Sequence, residues 1–364
     1  MLDDLRVTLR ETRASQWVLR ARQAARIRKQ LSNRRRAIIF LVPGVDDVNG
    51  GILAIVSHVA ESARMAEIHH AQVHLCTLPG GLTLMRYTRF ANDATLLSLD
   101  LLLSALAPDA LVHLNVPELY VPDLVRAGLP LLSRYPRHKF SFNIMLQNID
   151  FAPSRESVDS LRRAGPVTVT TAHKAYAGRQ TSEQLGCPVW HWSVWVSPEK
   201  YMRLGYERKE KLIVYSPDKH PLAAQVLRAL RKELSDYRFV RIWGLTYEEY
   251  KQLISRARFS VTFGEGLDGY FVEPILSGSI GCAVFNERFF TPAYCGLPFV
   301  FDDWEHLERE LPRMIRDIEE RTFVSDQSRQ YDTIAREYSH VEYQQNLRRY
   351  YAEALMHWHS PVGS

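Results

Sequence analysis

Residues 258–284, RFSVTFGEGLDGYFVEPILSGSIGCAV, decide the fold. RFSVTF is rich in β-formers and reads as a strand ending at Phe263. Gly264–Gly269 then makes a glycine-bearing turn at the carboxyl end of that strand. A helix is expected from YFVEPILSG, with Glu273 in or near its first turn and Ser277-Gly278 at its end. Pro274 suits a first-turn position, where its missing N–H costs nothing. GCAVFN returns as a strand. Glu265 and Glu273 thus flank the turn, with seven residues between them. Helix-start amides attract anions, and carboxylates beside such a turn suit the hydroxyls of a ribose or a hexose. Taken singly, the two acids read as a stabilising first-turn residue and a surface residue.

The same alternation extends in both directions. Upstream, EKLIVYSP reads as a strand, LAAQVLRALRKELS as a helix and YRFVRIWG as a strand. TYEEYKQLISRA follows as a helix with Thr246 as N-cap and Glu249 at the capping-box position. Downstream, WEHLERELPRMIRDIEER reads as one helix, and residues 341–356 as another. The first half begins with AIIFLV (37–42), a buried parallel strand, then a loop, the helix ILAIVSHVAESARMAE and the strand AQVHLCTL. Further strands are expected at DALVHLNV, KFSFNIML, PVTVTTA and VWHWSVWV, with helices at 92–107 and 153–164. The expected fold is α/β: two Rossmann-like, doubly wound domains facing a cleft, residues 37–205 and 206–338. A helix at 339–364 turns back toward the first domain. Ligands of such sheets sit outside the carboxyl ends of the strands, so the cleft offers two half-sites, one for a donor and one for an acceptor.

The 364 residues suit two domains, and 46% hydrophobic residues suffice for two cores. No apolar run approaches the ~20 residues of a membrane helix. The first twenty residues are charged where a secretory signal would be apolar, which implies a cytoplasmic protein. Cys76, Cys187, Cys282 and Cys295 lack CxxC spacing and read as buried free thiols. The net charge is +5, unevenly placed. Residues 1–36 hold eleven basic and three acidic residues, and the remainder 35 basic and 38 acidic. This extension, read as helical, fits an anionic membrane surface and equally a solvated helix or an arm packed on the domain. Nucleic acid is a weaker partner, because no basic patch is legible in the chain that follows.

With the acid pair in place, the chain resembles the retaining glycosyltransferases of the GT-B fold, family-4 type. Their signature is Glu, seven residues, Glu, in a context like E-G-F-G-x-x-x-x-E-A-x-A-x-G-x-P-V-V. Glu265, Gly266, Glu273, Gly278 and the closing strand agree, while Asp268 stands for the second glycine and Pro274 for the alanine. VDDVNGGILAIVSHVAESA looks like the family's first loop and helix, and PDALVHLN like its P-D-V-V-H-x-H strand. The resemblance implies transfer of a sugar from a nucleotide diphosphate sugar to an acceptor hydroxyl, with retention and without a metal or other cofactor. It assigns Glu273 to the nucleotide ribose and Glu265 to the donor sugar. Gly50 and Gly51 would approach the diphosphate, and Gly266, Asp268, Gly269 and Tyr270 would complete the donor site. It places His113 at the cleft, where a catalytic role competes with that of a core histidine. The family's Arg and Lys pair, which neutralises the leaving diphosphate, is reduced to Lys219, with Ser216 or Pro217 in place of Arg. His220 and Arg241 are the substitutes for the second cation.

Asn115, Glu118, Asn148 and Asp150 end first-domain strands and are acceptor-side candidates, each of which also suits a plain turn. Trp190, Trp192 and Trp195 suit a sugar-stacking face or domain packing. The acceptor implied is a glycan or a lipid-linked molecule, as in polysaccharide synthesis. An inverting transferase or sugar-nucleotide epimerase of the same fold is an alternative. So is a degenerate, non-catalytic binding subunit, suggested by the departures at Asp268 and at the basic pair.

Overall fold

The computed structural model describes residues 34–43, 50–80, 96–194 and 201–356, with residues 18, 21, 22, 24, 25, 27–29 and 31 of the N-terminal segment. The first sheet is parallel, with seven strands in the order β3-β2-β1-β4-β5-β6-β7. They are β1 (Arg36–Leu41), β2 (Gln72–Thr77), β3 (Leu96–Ser98), β4 (Leu111–Pro117), β5 (Lys139–Leu146), β6 (Val167–Thr171) and β7 (Val189–His191). The second is also parallel, in the order β12-β11-β10-β8-β9. It comprises β8 (Glu210–Tyr215), β9 (Arg238–Arg241), β10 (Ala257–Val261), β11 (Ile280–Val284) and β12 (Val300–Phe301). The helices used below are α1 (Gly50–Arg64), α2 (Leu99–Ala105), α3 (Arg155–Ala164), α4 (Arg179–Leu185), α5 (Ala223–Glu233), α6 (Tyr247–Arg256), α7 (Gly269–Leu276), α8 (Trp304–Asp317), α9 (Glu320–Tyr338) and α10 (His340–Ala354).

Strand order reverses between β1 and β4 in the first sheet and between β8 and β10 in the second. A crevice opens at each reversal, because the connections on either side leave in opposite directions. Strand period two divides the core. Ile39 and Leu41 join Val112, Leu114, Phe142 and the residues of α2 and α3 on one face. Ile38 and Phe40 face the other way, into a cluster shared by both domains. That cluster holds Val56 and Val59 of α1, Phe271 and Ile275 of α7, Phe289, Phe290 and Tyr294, and Leu347, Tyr350 and Tyr351 of α10. Burying one such ring contributes on the order of 2 kcal/mol, so α10 is fastened to the first domain by several residues at once. Among the described residues, no helix is long and apolar enough to cross a membrane.

Several elements differ from expectation. The helix expected at 92–107 is a short strand followed by α2, because Leu96–Ser98 adds to the edge of β2. VWHWSVWV gives only Val189–His191 as strand, and Trp195 lies outside the described residues. The helix expected at 304–321 stops at Asp317, and α9 is separate. A run of short helical turns over 118–132, holding Pro122 and Pro130, has no helical period to betray it. Cys295 is exposed, whereas the other three cysteines are buried. Helix α7 starts earlier than its proline suggests. Asp268 is its N-cap and accepts the Phe271 N–H at 3.1 Å. Glu273 therefore sits in the second turn and Pro274 inside the helix, where it offers no N–H to the Tyr270 carbonyl.

Candidate functional site

The loops leaving β8 and β10 form one wall of the cleft. Ser216 Oγ accepts the Phe263 N–H at 2.9 Å and ties the two loops together. Thr262 Oγ1 donates to the Asp268 carboxylate and accepts the Gly264 N–H at 3.2 Å. A side-chain carbon at Gly264 would stand 2.8 Å from Asp268 Oδ2 and 2.9 Å from Asp218 Oδ2. Two carboxylates thus converge on an exposed glycine. Beside them lies a pocket of about 300 Å³, lined by Thr262, Glu265, Phe285, Asn286 and Trp304 among others. His220, from the loop after β8, stacks on the Trp304 indole with ring centres 4.1 Å apart. Lys219 is exposed on that same loop. Arg241 reaches the loop through a hydrogen bond to the Pro217 carbonyl at 2.9 Å, its guanidinium 5.2 Å from the Trp243 ring centre.

The opposite wall comes from the end of β5. Gln147 Nε2 donates to the Gly51 carbonyl at 3.2 Å, and Asn148 Nδ2 donates across the cleft to Glu265. Asn148 is itself held twice. Its Oδ1 accepts the Asp150 N–H at 2.8 Å, and its own N–H reaches Glu118 Oε1 at 3.0 Å. Glu118 is buried, with 5% of its surface exposed. Burial pushes its carboxyl up to about 7, against backbone N–H bonds from Glu118, Asn148 and Gln147 that favour the anion, and Glu265 adds to the rise. Glu265 is also raised, first by burial, with Asp218 and Asp150 adding and the Asn148 amide opposing. The result is two acids joined across the two domains through one residue, Asn148, whose backbone N–H meets Glu118 and whose side-chain amide meets Glu265. Asp150 adds an ion pair to Arg288 of the second domain.

Glu273 stands one helical turn beyond the N-cap of α7. Its Oε2 accepts the Tyr201 hydroxyl at 2.7 Å and the Tyr247 hydroxyl at 3.1 Å. The two phenols are 2.7 Å apart. A side-chain carbon at Gly269 would come within 2.9 Å of Glu273 Oε1, so this glycine keeps that oxygen clear. Burial raises the Glu273 carboxyl to about 7, opposed by the Tyr201 and Tyr247 hydrogen bonds and by Lys251. Burial likewise raises Asp268 to about 7, with Thr262 and the Phe271 N–H opposing and Asp218 and Glu265 adding. Tyr270 is raised by burial and by the carboxylates of Asp218, Asp268 and Glu273 around it.

Neither a protein-family model nor a curated protein matches the chain significantly. Solved structures do. The N-terminal domain of a Candida albicans trehalose-6-phosphate phosphatase is 12% identical, covers 90% of this chain and 99% of its own, and has a TM-score of 0.54. An alpha,alpha-trehalose 6-phosphate synthase from Burkholderia multivorans is 9% identical, with coverage of 90% and 100% and a TM-score of 0.52. A UDP-forming alpha,alpha-trehalose-phosphate synthase from Burkholderia vietnamiensis is 10% identical, with coverage of 90% and 99% and a TM-score of 0.51. The fold is GT-B. At such identities the likeness concerns architecture alone.

Within this GT-B cleft, Glu265, Asp268, Gly269, Tyr270 and Glu273 lie together, with Gly51, Glu118 and Asn148 opposite. Gly50 starts α1 with open space where a side chain would be. Gly266, expected to admit the donor, is required by the fold as well. Its φ is +93°, and a side-chain carbon would meet Phe290 at 2.6 Å and the Val284 carbonyl at 2.8 Å. His113 is not at the cleft. It is buried in β4, with Nδ1 bonded to Ser141 at 2.8 Å and Nε2 to Tyr350 at 2.7 Å, so both nitrogens serve the core. Asn115 is likewise fully buried and accepts from Asn143 at 2.9 Å. Trp192 is buried between His58 and Tyr350, a packing role, and Trp190 donates to Glu353 of α10. The N-terminal segment lies largely outside the described residues, but Ile27 and Leu31 are buried in the first domain's core. Sequence reading missed Asp218, Gln147, Tyr201, Tyr247 and Arg288. Tyr247 had a signal, since it directly follows the N-cap Thr246 of α6.

Proposed function

We propose that the chain is a glycosyltransferase that moves a sugar from a nucleotide diphosphate sugar to an acceptor hydroxyl with retention, in cytoplasmic glycan or polysaccharide synthesis. The observation that carries this reading is the loop–helix of the second domain. It sets Glu265 and Glu273 at the strand-order reversal, one facing Asn148 of the opposing domain and the other keeping an oxygen clear beside Gly269. In this reading Glu273 holds the ribose and Glu265 the donor sugar. Lys219 and the N-terminus of α1 at Gly50 and Gly51 meet the charge that develops on the leaving diphosphate, without a metal. Asn148, positioned by Glu118, and Asp150 border the acceptor, a glycan or a lipid-linked molecule. A UDP-sugar is the first donor to try, because one structure of the same fold is described as UDP-forming. The test is thermal stabilisation by UDP-, GDP- and dTDP-sugars and the free diphosphates, followed by transfer assays. A chain stabilised by none of them is not such an enzyme.

One observation favours a second reading, a nucleotide-binding subunit without turnover. Asp218 and Asp268 converge on Gly264, and Ser216 or Pro217 stands where the resemblance expects Arg, so two acids lie where the leaving diphosphate would need a second cation. Binding of a nucleoside diphosphate with no hydrolysis or transfer of any donor would decide for it.

A further inference from the structure

We propose that the edge of the first sheet where its strands begin, opposite the cleft, is a docking surface for anionic phospholipid. Strands β1, β4 and β5 start side by side there, with Arg36 paired to Leu111 and Leu111 to Lys139. Arg34 and Arg35 lead into this row, their carbonyls bonded to the N–H groups of Ala107 and Leu111. Arg137 precedes β5 in the turn, and Arg163 lies in the last turn of α3, against the same edge. A side-chain carbon at Gly165 would lie 2.1 Å from the Phe140 carbonyl oxygen, so the absence of a side chain there lets the end of α3 lie on the start of β5.

A pocket of about 530 Å³ opens at this edge, lined by Val125, Leu129, Leu132, Tyr135, Phe140 and Ala164, with Arg163 at its wall. Arg134, Arg137, Lys139 and Arg163 are all exposed, and none has an ion-pair partner among the described residues. Neighbouring Arg126 and Arg162, by contrast, are paired with Asp123 and Asp159. Asp109 is an exposed acid on this edge, beside the start of β4. A largely apolar opening with Arg163 on its wall, and with Arg134, Arg137 and Lys139 next in the chain to lining residues, suits a ligand that is apolar at one end and anionic at the other. A nucleic-acid backbone would use the cations and leave the pocket empty. The aromatic rings of the lining are also already engaged, with Tyr135 stacked on His138 at 5.3 Å and Phe140 edge-on to it at 5.9 Å. The surface joins Arg34–Arg36, the end of the basic N-terminal segment, to residues 125–140 and 163, which is why no basic patch is visible along the chain after residue 36.

The proposal is independent of catalysis and is tested by flotation of the full chain with phosphatidylcholine vesicles, with and without phosphatidylglycerol. The parent should float with the anionic vesicles and not with the neutral ones. Each cation near such a surface contributes about a fivefold gain in affinity, so Arg137→Gln, Lys139→Gln and Arg163→Gln together should weaken binding on the order of 100-fold. These residues are exposed, and an unchanged melting temperature checks the fold. A second variant, Leu129→Gln, should reduce binding while the salt dependence persists. Equal binding to neutral vesicles would overturn the proposal, as would a triple variant that binds like the parent. Preference for a duplex oligonucleotide over vesicles would overturn it in favour of nucleic acid.

Discussion

Replacing Glu273 by Gln is expected to weaken UDP binding in a way that depends on pH. In the structure Oε2 of Glu273 is occupied by the Tyr201 and Tyr247 hydroxyls, while Oε1 beside Gly269 is clear for a ribose hydroxyl. One hydrogen bond to a carboxylate contributes about 1.5–3 kcal/mol, against about 1 kcal/mol for a neutral acceptor. The difference, roughly 0.5–2 kcal/mol, is about 2- to 30-fold in Kd. It is realised only when Glu273 is ionised, and burial raises its carboxyl to about 7. Parent and variant should therefore bind UDP alike well below that pH, where both side chains are neutral. The parent should gain the full advantage a unit or more above it. Titrating calorimetrically across this range, the ratio of the two Kd values isolates Glu273, since the UDP phosphate titrates identically with both proteins. A ratio that stays flat with pH, or stays near one throughout, would refute the assignment of Glu273 to the ribose.

Three other outcomes are expected. Lys219→Ala should reduce nucleoside diphosphate affinity or transfer rate while changing urea-unfolding stability by no more than about 0.5 kcal/mol, since the side chain is exposed; a variant with unchanged affinity and rate removes Lys219 from the site. Tyr350→Phe deprives His113 Nε2 and Thr168 Oγ1 of a buried partner and should cost about 1–3 kcal/mol in urea unfolding with KM unchanged. A fall in kcat without loss of stability would instead return His113 to the chemistry. Glu118 has a folded-state carboxyl raised to about 7 from 4.5. Its contribution to stability is therefore fully present below pH 4.5 and is lost as pH rises through 7, on the order of 3 kcal/mol. Glu118→Gln should flatten that decline in stability between about pH 5 and pH 8, and an unaltered slope would show that Glu118 is not its source.

The fold was legible because parallel strands buried on both faces leave short apolar runs, and glycine turns with capped helices punctuate them. Thr246 and Glu249 form the capping box their spacing promised. What was not legible depends on tertiary context. His113 looks like a cleft residue from its strand, yet its place in the interior of β4, under Tyr350 from a helix 237 positions away, makes it a core residue. Asp218 stands beside Lys219 in the sequence, but its approach to Gly264 depends on how two crossovers leave neighbouring strands. Glu118 and Asn148 suited the acceptor side or a plain turn, and only the meeting of the two domains links them to Glu265.

Asp268 shows how far structure can revise a reading of charge. In sequence it adds an anion where the resembling family has glycine, beside the expected position of the donor. In the structure its carboxylate accepts the Phe271 N–H and the Thr262 hydroxyl, so its first task is to start α7 and thereby aim Glu273. Burial also raises it to about 7, so near neutral pH it carries a full negative charge only part of the time. The repulsion that an incoming diphosphate meets from Asp268 at Gly264 is thus weaker than the sequence alone suggests. It follows that Asp218→Asn should strengthen nucleoside diphosphate binding, because it removes a charge and no cap. Asp268→Asn should leave binding nearly unchanged, and Asp268→Ala should cost about 1 kcal/mol of stability through the lost N-cap. If both asparagine variants strengthened binding equally, Asp268 would be as anionic as its sequence suggests, and the raised carboxyl would not be what governs it.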